Sequence, residues 1–241
     1  CTESGGGTVL IPGGVPRQVY RTGTIILKKN VVLNIEKGAL LQGSINYEDY
    51  TAIEPFIDGV NATRGACLIG AEDEQNISIT GEGSIDGQGQ LWRKNNNKDY
   101  DKRPFLIRFI RVKNVSIKNV QLRNSAAWMC NLDLCEDVTI DNIRITNHVN
   151  ANNDGIDIDA CTHVAIRNCT ISSADDAICF KSTRGDKACE NVIVENNTLQ
   201  SNCGGIKWGT ESMGDFKNFN VRNNFIHDTR LCGIKILSAD G

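Results

Sequence analysis

The chain has 241 residues, of which 40% are hydrophobic and 23% charged, a balance typical of a globular protein with a sizeable core. Its net charge of −3 gives no overall basic field, so the composition favours neither nucleic acid nor an anionic membrane surface as a partner. No apolar stretch approaches the roughly 18 residues that a membrane-spanning helix needs.

The chain carries an internal repeat that begins weakly at Asn30 and returns at Asn76. Later copies share the form N-V-x-I-x-N, followed by a second short apolar segment. They cover residues 114–122 (NVSIKNVQL), 137–145 (DVTIDNIRI), 163–171 (HVAIRNCTI), 191–199 (NVIVENNTL) and 218–226 (NFNVRNNFI). Their starts lie 23, 26, 28 and 27 residues apart. Each copy alternates apolar and polar residues with the period of a strand, and β-branched residues dominate.

A repeat of this length with two or three short strands predicts a β-solenoid. We therefore predict an all-β, right-handed, single-stranded parallel β-helix that forms one domain over residues 1–241. Leucine-rich repeats are excluded because LxxLxL is absent, and a propeller would need four strands in each repeat.

Two sets of residues should stack from one coil to the next. The sixth position of each repeat is asparagine, which tolerates a positive φ and can hydrogen-bond along the stack; these residues are Asn119, Asn142, Asn168, Asn196 and Asn223. Cys135, Cys161 and Cys189 each lie two residues before a repeat start, so they should be stacked core residues. Because no CxxC pair or Cys/His set has metal-binding spacing, we predict no metal and no cofactor.

The glycine-rich segment 81–92 (GEGSIDGQGQLW) lies in a strand-and-turn context without a following helical pattern. A dinucleotide-binding loop is therefore disfavoured. Glycines that allow tight turns between coils are the preferred interpretation.

Three aspartates form the candidate catalytic set. Asp154 lies in segment 152–157 (NNDGID), and Asp175 and Asp176 lie in segment 174–182 (ADDAICFKS). Asp154 and Asp175 are 21 residues apart, close to one coil, and stacked coils are about 4.8 Å apart. Three neighbouring carboxylates cannot all ionise freely, so at least one should have a raised pKa, as a general acid requires. The alternative is that these aspartates bind calcium or are acidic side chains of solvent-exposed turns without a catalytic role.

The ordered motifs resemble those of the polygalacturonase-type enzymes of glycoside hydrolase family 28. Segment 81–92 is similar to the family's GxGxIDGxGxxW, segment 152–157 to NTDGID and segment 174–182 to GDDxIxxKS, and the resemblance covers nearly the whole chain. It implies a pectin-degrading parallel β-helix with Asp175 as the acid, and with Asp154 and Asp176 positioning and deprotonating water with inversion.

The chain departs from the family at two motifs. Cys203 stands where the family's GHG motif has histidine. The family's RIK motif, which binds a substrate carboxylate, aligns with residues 235–237. Lys235 therefore replaces the arginine, whose guanidinium can form two parallel hydrogen bonds, and the apolar Leu237 replaces the lysine. The predicted substrate-binding residues are Lys181, Cys203, Lys207, Trp208 and Lys235.

We therefore expect an inverting glycoside hydrolase that acts on pectin or a related uronic-acid polysaccharide through an altered subsite. The alternatives are a catalytically silent carbohydrate-binding β-helix and a polysaccharide lyase on the same scaffold. Because large polysaccharides lie outside cells, we expect a secreted protein, extracellular or periplasmic, that acts as a monomer.

Both ends of the chain look cut. The sequence enters a predicted strand directly after CTESGGG and stops just beyond the apolar segment 233–237. An uncapped solenoid end would expose apolar surface and unpaired strand edges. We therefore predict that the chain is an internal portion of a longer helix, with an N-terminal segment and C-terminal coils missing.

Overall fold

The fold is built almost entirely from short strands. A computed structural model describes residues 1–58, 61–95 and 98–239. The strands in this part of the chain are β1 (Gly7–Ile11), β2 (Gln18–Thr22), β3 (Ile25–Ile26), β4 (Val31–Ile35), β5 (Ala39–Gly43), β6 (Thr51–Ile57), β7 (Thr63–Glu72), β8 (Gln75–Thr80), β9 (Ser84–Asp86), β10 (Phe105–Ile110), β11 (Lys113–Lys118), β12 (Gln121–Arg123), β13 (Cys130–Asp133), β14 (Glu136–Asp141), β15 (Arg144–Asn147), β16 (Ile156–Asp159), β17 (Thr162–Arg167), β18 (Thr170–Ser173), β19 (Ile178–Ser182), β20 (Cys189–Glu195), β21 (Thr198–Ser201), β22 (Gly204–Ser212), β23 (Phe216–Arg222), β24 (Phe225–His227) and β25 (Cys232–Ile236). Short 3-10 turns cover Thr2–Ser4, Tyr47–Asp49, Gly89–Trp92 and Tyr100–Lys102. Within the described ranges, no helix has the length and apolar character needed to cross a bilayer.

The strands form three parallel sheets. Sheet A has the order β1-β4-β8-β11-β14-β17-β20-β23, sheet B the order β2-β5-β9-β12-β15-β18-β21-β24, and sheet C the order β3-β7-β10-β13-β16-β19-β22-β25. Each coil therefore contributes one strand to each sheet. This confirms the predicted right-handed parallel β-helix.

The core lies between the three sheets and is made of stacked side chains. In sheet A the register pairs Val115 with Val138 and Val138 with Val164, all of them buried. Each such side chain contributes about 1.5–3 kcal/mol through burial. The alternation seen in the repeat therefore creates continuous apolar columns along the helix.

The predicted cysteine stack is confirmed. Cys135, Cys161 and Cys189 are all buried, and the backbone N–H of Cys135 donates to Sγ of Cys161 at 3.2 Å. Burial raises the pKa of the Cys189 thiol to about 12, so this thiol remains a neutral core side chain near pH 7.

The asparagine turns are also confirmed in their backbone conformation. The five sixth-position asparagines have φ between 53° and 65°. Nδ2 of Asn142 donates to Oδ1 of Asn119 at 2.9 Å, as predicted, whereas Nδ2 of Asn168 donates to Oδ1 of Asp141 at 2.8 Å. A second ladder at the repeat starts was not predicted; in it Nδ2 of Asn114 donates to Oδ1 of Asn76 at 2.8 Å.

The glycine-rich segment 81–92 turns between coils, as the sequence analysis preferred. Gly81 has a φ of 110°, and a Cβ there would lie 2.0 Å from the carbonyl oxygen of Ile35. Only glycine combines this conformation with such a close approach.

One strand departs from the repeat. β6 pairs antiparallel with β7 instead of joining the stack. It was not predicted, because an inserted strand outside the coils carries no trace of the repeat. Its residues form a wall of the pocket described below.

Candidate functional site

The register of sheet C brings the three aspartates together. It pairs Ile156 with Ile178 and Ile178 with Ile206, so Asp154, Asp176 and Gly204 occupy equivalent positions on three successive coils. The backbone N–H of Gly155 donates to the carbonyl oxygen of Asp176 at 2.9 Å. Asp154 is therefore stacked on Asp176, and Asp175 lies beside this column.

The three carboxylates line one cleft of about 370 Å³. Its walls are formed by Asp58, Trp128, Asn152, Asp154, Asp175, Asp176, Lys181, Lys207, Thr210 and Glu211. Of the predicted substrate-binding residues, Lys181 and Lys207 thus line the cleft.

Asp176 is buried, and both of its carboxylate oxygens have partners. The backbone N–H of Gly204 donates to Oδ1 at 3.0 Å, and Nζ of Lys207 donates to Oδ2 at 2.9 Å. Lys207, predicted to bind substrate, therefore forms an ion pair with an acidic residue of the cleft. Its ammonium is positioned to stabilise a charged group there.

Asp154 has a different environment. Burial raises its pKa well above the usual range, and the carboxylates of Asp157 and Asp175 raise it further, while Lys181 opposes them. Its Oδ1 is buried without a hydrogen-bond partner among the described residues. Asp154 thus has the raised pKa that the crowding argument requires of at least one carboxylate.

Lys181 lies beneath the cleft rather than open in it. The residue is only 5% exposed, and its Nζ is 2.8 Å from Oε2 of Glu211 and 3.9 Å from Oδ1 of Asp157. Asp157 is also buried, which raises its pKa strongly, and neither of its carboxylate oxygens has a hydrogen-bond partner in the described ranges. Lys181 is therefore the counter-charge of a buried acidic cluster.

Cys203, which was predicted to bind substrate, lies next to Asp175 and Asp176. Donor atoms of Cys203, Asp175 and Asp176 all lie within 4.8 Å of one another, a grouping that could also approach a metal ion. Burial and hydrogen bonding to both aspartates raise the pKa of the thiol to about 12. Near neutral pH it is an uncharged thiol, which is a weak donor and a poor metal ligand.

Lys235 lies one coil beyond Lys207. The register pairs these two residues, so both project from the outer face of sheet C. Lys235 is half-buried and makes no ion pair with the residues described in the structure. It is therefore the cation on this face that remains available to a ligand carboxylate.

Trp208, which was predicted to bind substrate, does not line the cleft. Its indole packs on the inner side of sheet C, with ring centroids 5.4 Å from both Phe180 and Phe219. Successive residues of a strand point to opposite faces, so an outward Lys207 requires an inward Trp208. The aromatic ring of the cleft is that of Trp128.

A second pocket of about 350 Å³ adjoins the cleft, and Asp159 lies in its wall. Burial raises the pKa of Asp159 from 3.8 to about 6, and Asp133 adds to this effect. The N–H and Oγ1 of Thr183 donate to its two oxygens at 3.0 and 2.8 Å, which together with Lys181 opposes the shift.

The variant Asp159→Asn tests the effect of this burial on stability. The folded protein binds the Asp159 proton more tightly than the unfolded chain does, so this group destabilises the fold as pH rises from about 4 to about 6, and by a constant amount above. We expect the free energy of unfolding of Asp159→Asn, relative to that of the wild type, to increase by ~3 kcal/mol between pH 4 and pH 7.5. Urea unfolding at both pH values measures the gain, with the exposed Asp186→Asn as control. An equal stability difference from wild type at both pH values would contradict the assignment.

Several residues of the site were missed by the sequence analysis. Asp157 lies inside segment 152–157, but the pairing of Asp157 and Glu211 with Lys181 depends on which coils stack. Asp58 reaches the cleft from a distant segment for which the repeat gives no signal.

The comparisons with known proteins agree with the fold. The model of glycosyl hydrolases family 28 matches residues 14–241. The chain is 32% identical over 189 residues to a probable polygalacturonase of Vitis vinifera, which covers 75% of this chain and 38% of that protein. It is 26% identical over 282 residues to an exo-poly-alpha-D-galacturonosidase of Dickeya chrysanthemi, which covers 93% of this chain and 46% of that protein.

The solved structure of a hyperthermoactive exopolygalacturonase from Thermotoga maritima superposes with a TM-score of 0.81 at 26% identity. The match covers 100% of this chain and 63% of that one. The chain thus spans less than half the length of the two curated relatives above. Because the family model covers most of the chain, the chain belongs to glycosyl hydrolases family 28.

Proposed function

We propose that the chain forms the catalytic cleft of an inverting glycoside hydrolase that cleaves pectin or a related uronic-acid polysaccharide outside the cell. The observation that carries the proposal is the meeting of Asp154, Asp175 and Asp176 in one cleft. Glycoside hydrolysis requires one carboxylic acid and one carboxylate on either side of the scissile bond. The names of the relatives, polygalacturonase and exo-poly-alpha-D-galacturonosidase, support this class of substrate.

The resemblance to the family assigns the three carboxyl groups separate roles. Asp175 gives its proton to the glycosidic oxygen as the bond from that oxygen to the anomeric carbon breaks. Asp176 takes a proton from the water whose oxygen attacks the anomeric carbon from the opposite face. Asp154, whose pKa is raised by burial, holds its proton and hydrogen-bonds to the water or the sugar through its unpartnered Oδ1.

The substrate subsite differs from that of a polygalacturonase with the full RIK motif. Lys207 is engaged by Asp176, and Leu237 carries no charge, so Lys235 is the cation left on this face for a uronate carboxylate. A single flexible ammonium holds a carboxylate less firmly than a guanidinium fork. The subsite is therefore suited to a uronic-acid polysaccharide in which not every sugar is a free galacturonate.

Incubation with pectic polysaccharides tests the reaction class. The expected result is new reducing ends without ultraviolet-absorbing unsaturated products. Unsaturated products would establish a lyase instead. Binding without cleavage would establish a silent carbohydrate-binding module, the role that the replacement of the family histidine by Cys203 would favour.

Lys207→Met tests the proposed role of the ion pair. Asp176 would lose its ammonium partner at 2.9 Å, which holds the carboxylate in position to accept a proton from water. We expect kcat on a pectic polysaccharide to fall about tenfold to a hundredfold, with little change in KM.

Lys235→Met is the comparison, because it removes the neighbouring cation without touching Asp176. It should raise KM for an acidic substrate and leave kcat close to the wild-type value. An unchanged kcat in Lys207→Met would show that the ion pair does not act on the proton-accepting group.

A further inference from the structure

The pocket beside the catalytic cleft has the properties of a second sugar site. Its volume is about 350 Å³, and it shares Trp128, Lys181 and Glu211 with the walls of the cleft. It lies towards the carboxyl ends of the sheet C strands, whereas the catalytic aspartates precede those strands. One branched molecule can therefore occupy both cavities.

One wall of the pocket is apolar. It is formed by Pro55, Phe56 and Ile57 of the inserted strand β6. The Phe56 ring is fixed, with its centroid 6.3 Å from that of Phe105 and the guanidinium of Arg108 4.9 Å from its centroid. A fixed apolar wall of this kind packs well against the C–H face of a sugar ring.

The opposite wall is polar. Asn131 and Asp133 of β13 contribute to it, and Asp159 of β16 is paired in register with Asp133. Asp133 is only 8% exposed, and its Oδ1 is buried without a hydrogen-bond partner among the residues described. Burying such an oxygen without a hydrogen-bond donor lowers the stability of the fold by about 1–3 kcal/mol. A sugar hydroxyl group is a donor of the right kind.

The charge of the pocket disfavours an acidic ligand. Four of its side chains are acidic, namely Glu54, Asp133, Asp159 and Glu211. Its three cations are Lys181, Arg184 and Arg108.

Each of these cations is already engaged. Lys181 is 2.8 Å from Glu211, and Arg184 is 3.5 Å from Asp133. Arg108 donates to the side-chain oxygen of Asn131 and to the carbonyl oxygens of Ile53 and Glu54 at 3.0 and 3.1 Å. Among the residues that line this pocket, a uronate carboxylate would therefore find no cation that is not already engaged.

From these observations we infer that the side pocket binds a neutral sugar unit carried as a branch by the polysaccharide whose acidic main chain lies in the cleft. The inference rests on the proposed function for its main-chain substrate. The hydroxyl groups of the branch donate hydrogen bonds to the Asp133 carboxylate, and the apolar face of the sugar ring packs against Phe56.

The experiment compares a xylose-branched galacturonan with the same polymer after enzymatic removal of its xylose. The wild-type protein is expected to show a kcat/KM about tenfold higher on the branched polymer. Asp133→Ala and Phe56→Ala alter opposite walls and should each bring this ratio close to one, through a higher KM for the branched polymer and an unchanged kcat. Asp186→Ala, an exposed acid outside both cavities, should leave the ratio at its wild-type value.

A wild-type ratio of one, or a ratio that neither wall variant changes, would overturn the side-pocket assignment while leaving the proposed hydrolysis intact. If the wild type cleaves neither polymer, the proposed function fails. Calorimetric titration with oligosaccharide fragments of both polymers then tests whether the side pocket binds the branch. Tighter binding of the branched fragment that is lost in Phe56→Ala then supports it, and equal binding of the two fragments overturns it.

Discussion

Asp175→Asn is expected to lower kcat on a pectic polysaccharide by about 10²- to 10⁴-fold, the contribution typical of a positioned general acid. The side chain keeps its size, and it remains beside Asp176, whose backbone N–H lies 3.0 Å from Oδ1 of Asp175. The fold and the affinity for substrate should therefore be retained. Reducing-end release measures kcat, and a thermal melt checks the fold.

A substrate with an activated aryl leaving group separates the roles of the aspartates. Such a leaving group needs little protonation, so Asp175→Asn should lose much less activity on it than on the natural substrate. Asp176→Asn should lose the same factor on both, because it removes the acceptor of the water proton. Wild-type-like turnover of the polysaccharide by Asp175→Asn would remove Asp175 as the acid, and a selective rescue of Asp154→Asn would move that role to the buried carboxyl group.

Lys181→Met should lower the free energy of unfolding by about 3–5 kcal/mol. Its ammonium is largely buried beside Glu211 and Asp157, and its removal leaves these acidic groups without their counter-charge. Urea unfolding near pH 7 measures the change. Lys113→Met is the matched control, because Lys113 forms an ion pair with Glu136 at 3.1 Å in which both side chains are exposed. It should change stability by less than about 1 kcal/mol.

The double variant Lys181→Met with Glu211→Gln separates the loss of the pair from the exposure of a lone charge. Removing both partners should restore much of the stability, since the large penalty comes from an uncompensated buried charge. A double variant as unstable as the sum of the two single variants would mean that Lys181 acts through packing alone. Its ammonium also lies over the Trp128 ring, with Nζ 4.9 Å from the ring centroid.

The sequence by itself determined the coil architecture. The repeat specifies which side chains point inward, and parallel pairing then places the same position of each copy on its neighbour. Cys135, Cys161 and Cys189 and the sixth-position asparagines could be assigned for this reason. The approach of Asp154 to Asp176 follows from the same rule, because each lies a fixed distance before a strand of sheet C.

Only the tertiary structure decided the features that the repeat does not encode. Which face of sheet C carries Lys207 and which carries Trp208 depends on the register of β22, because a shift of one residue would exchange inward and outward side chains. The partnership of Lys181 with Glu211 links two coils whose lengths differ, and β6 brings Phe56 to the side pocket from outside the stack. A repeating pattern predicts what recurs, whereas charge pairing and an inserted wall arise from contacts that occur once.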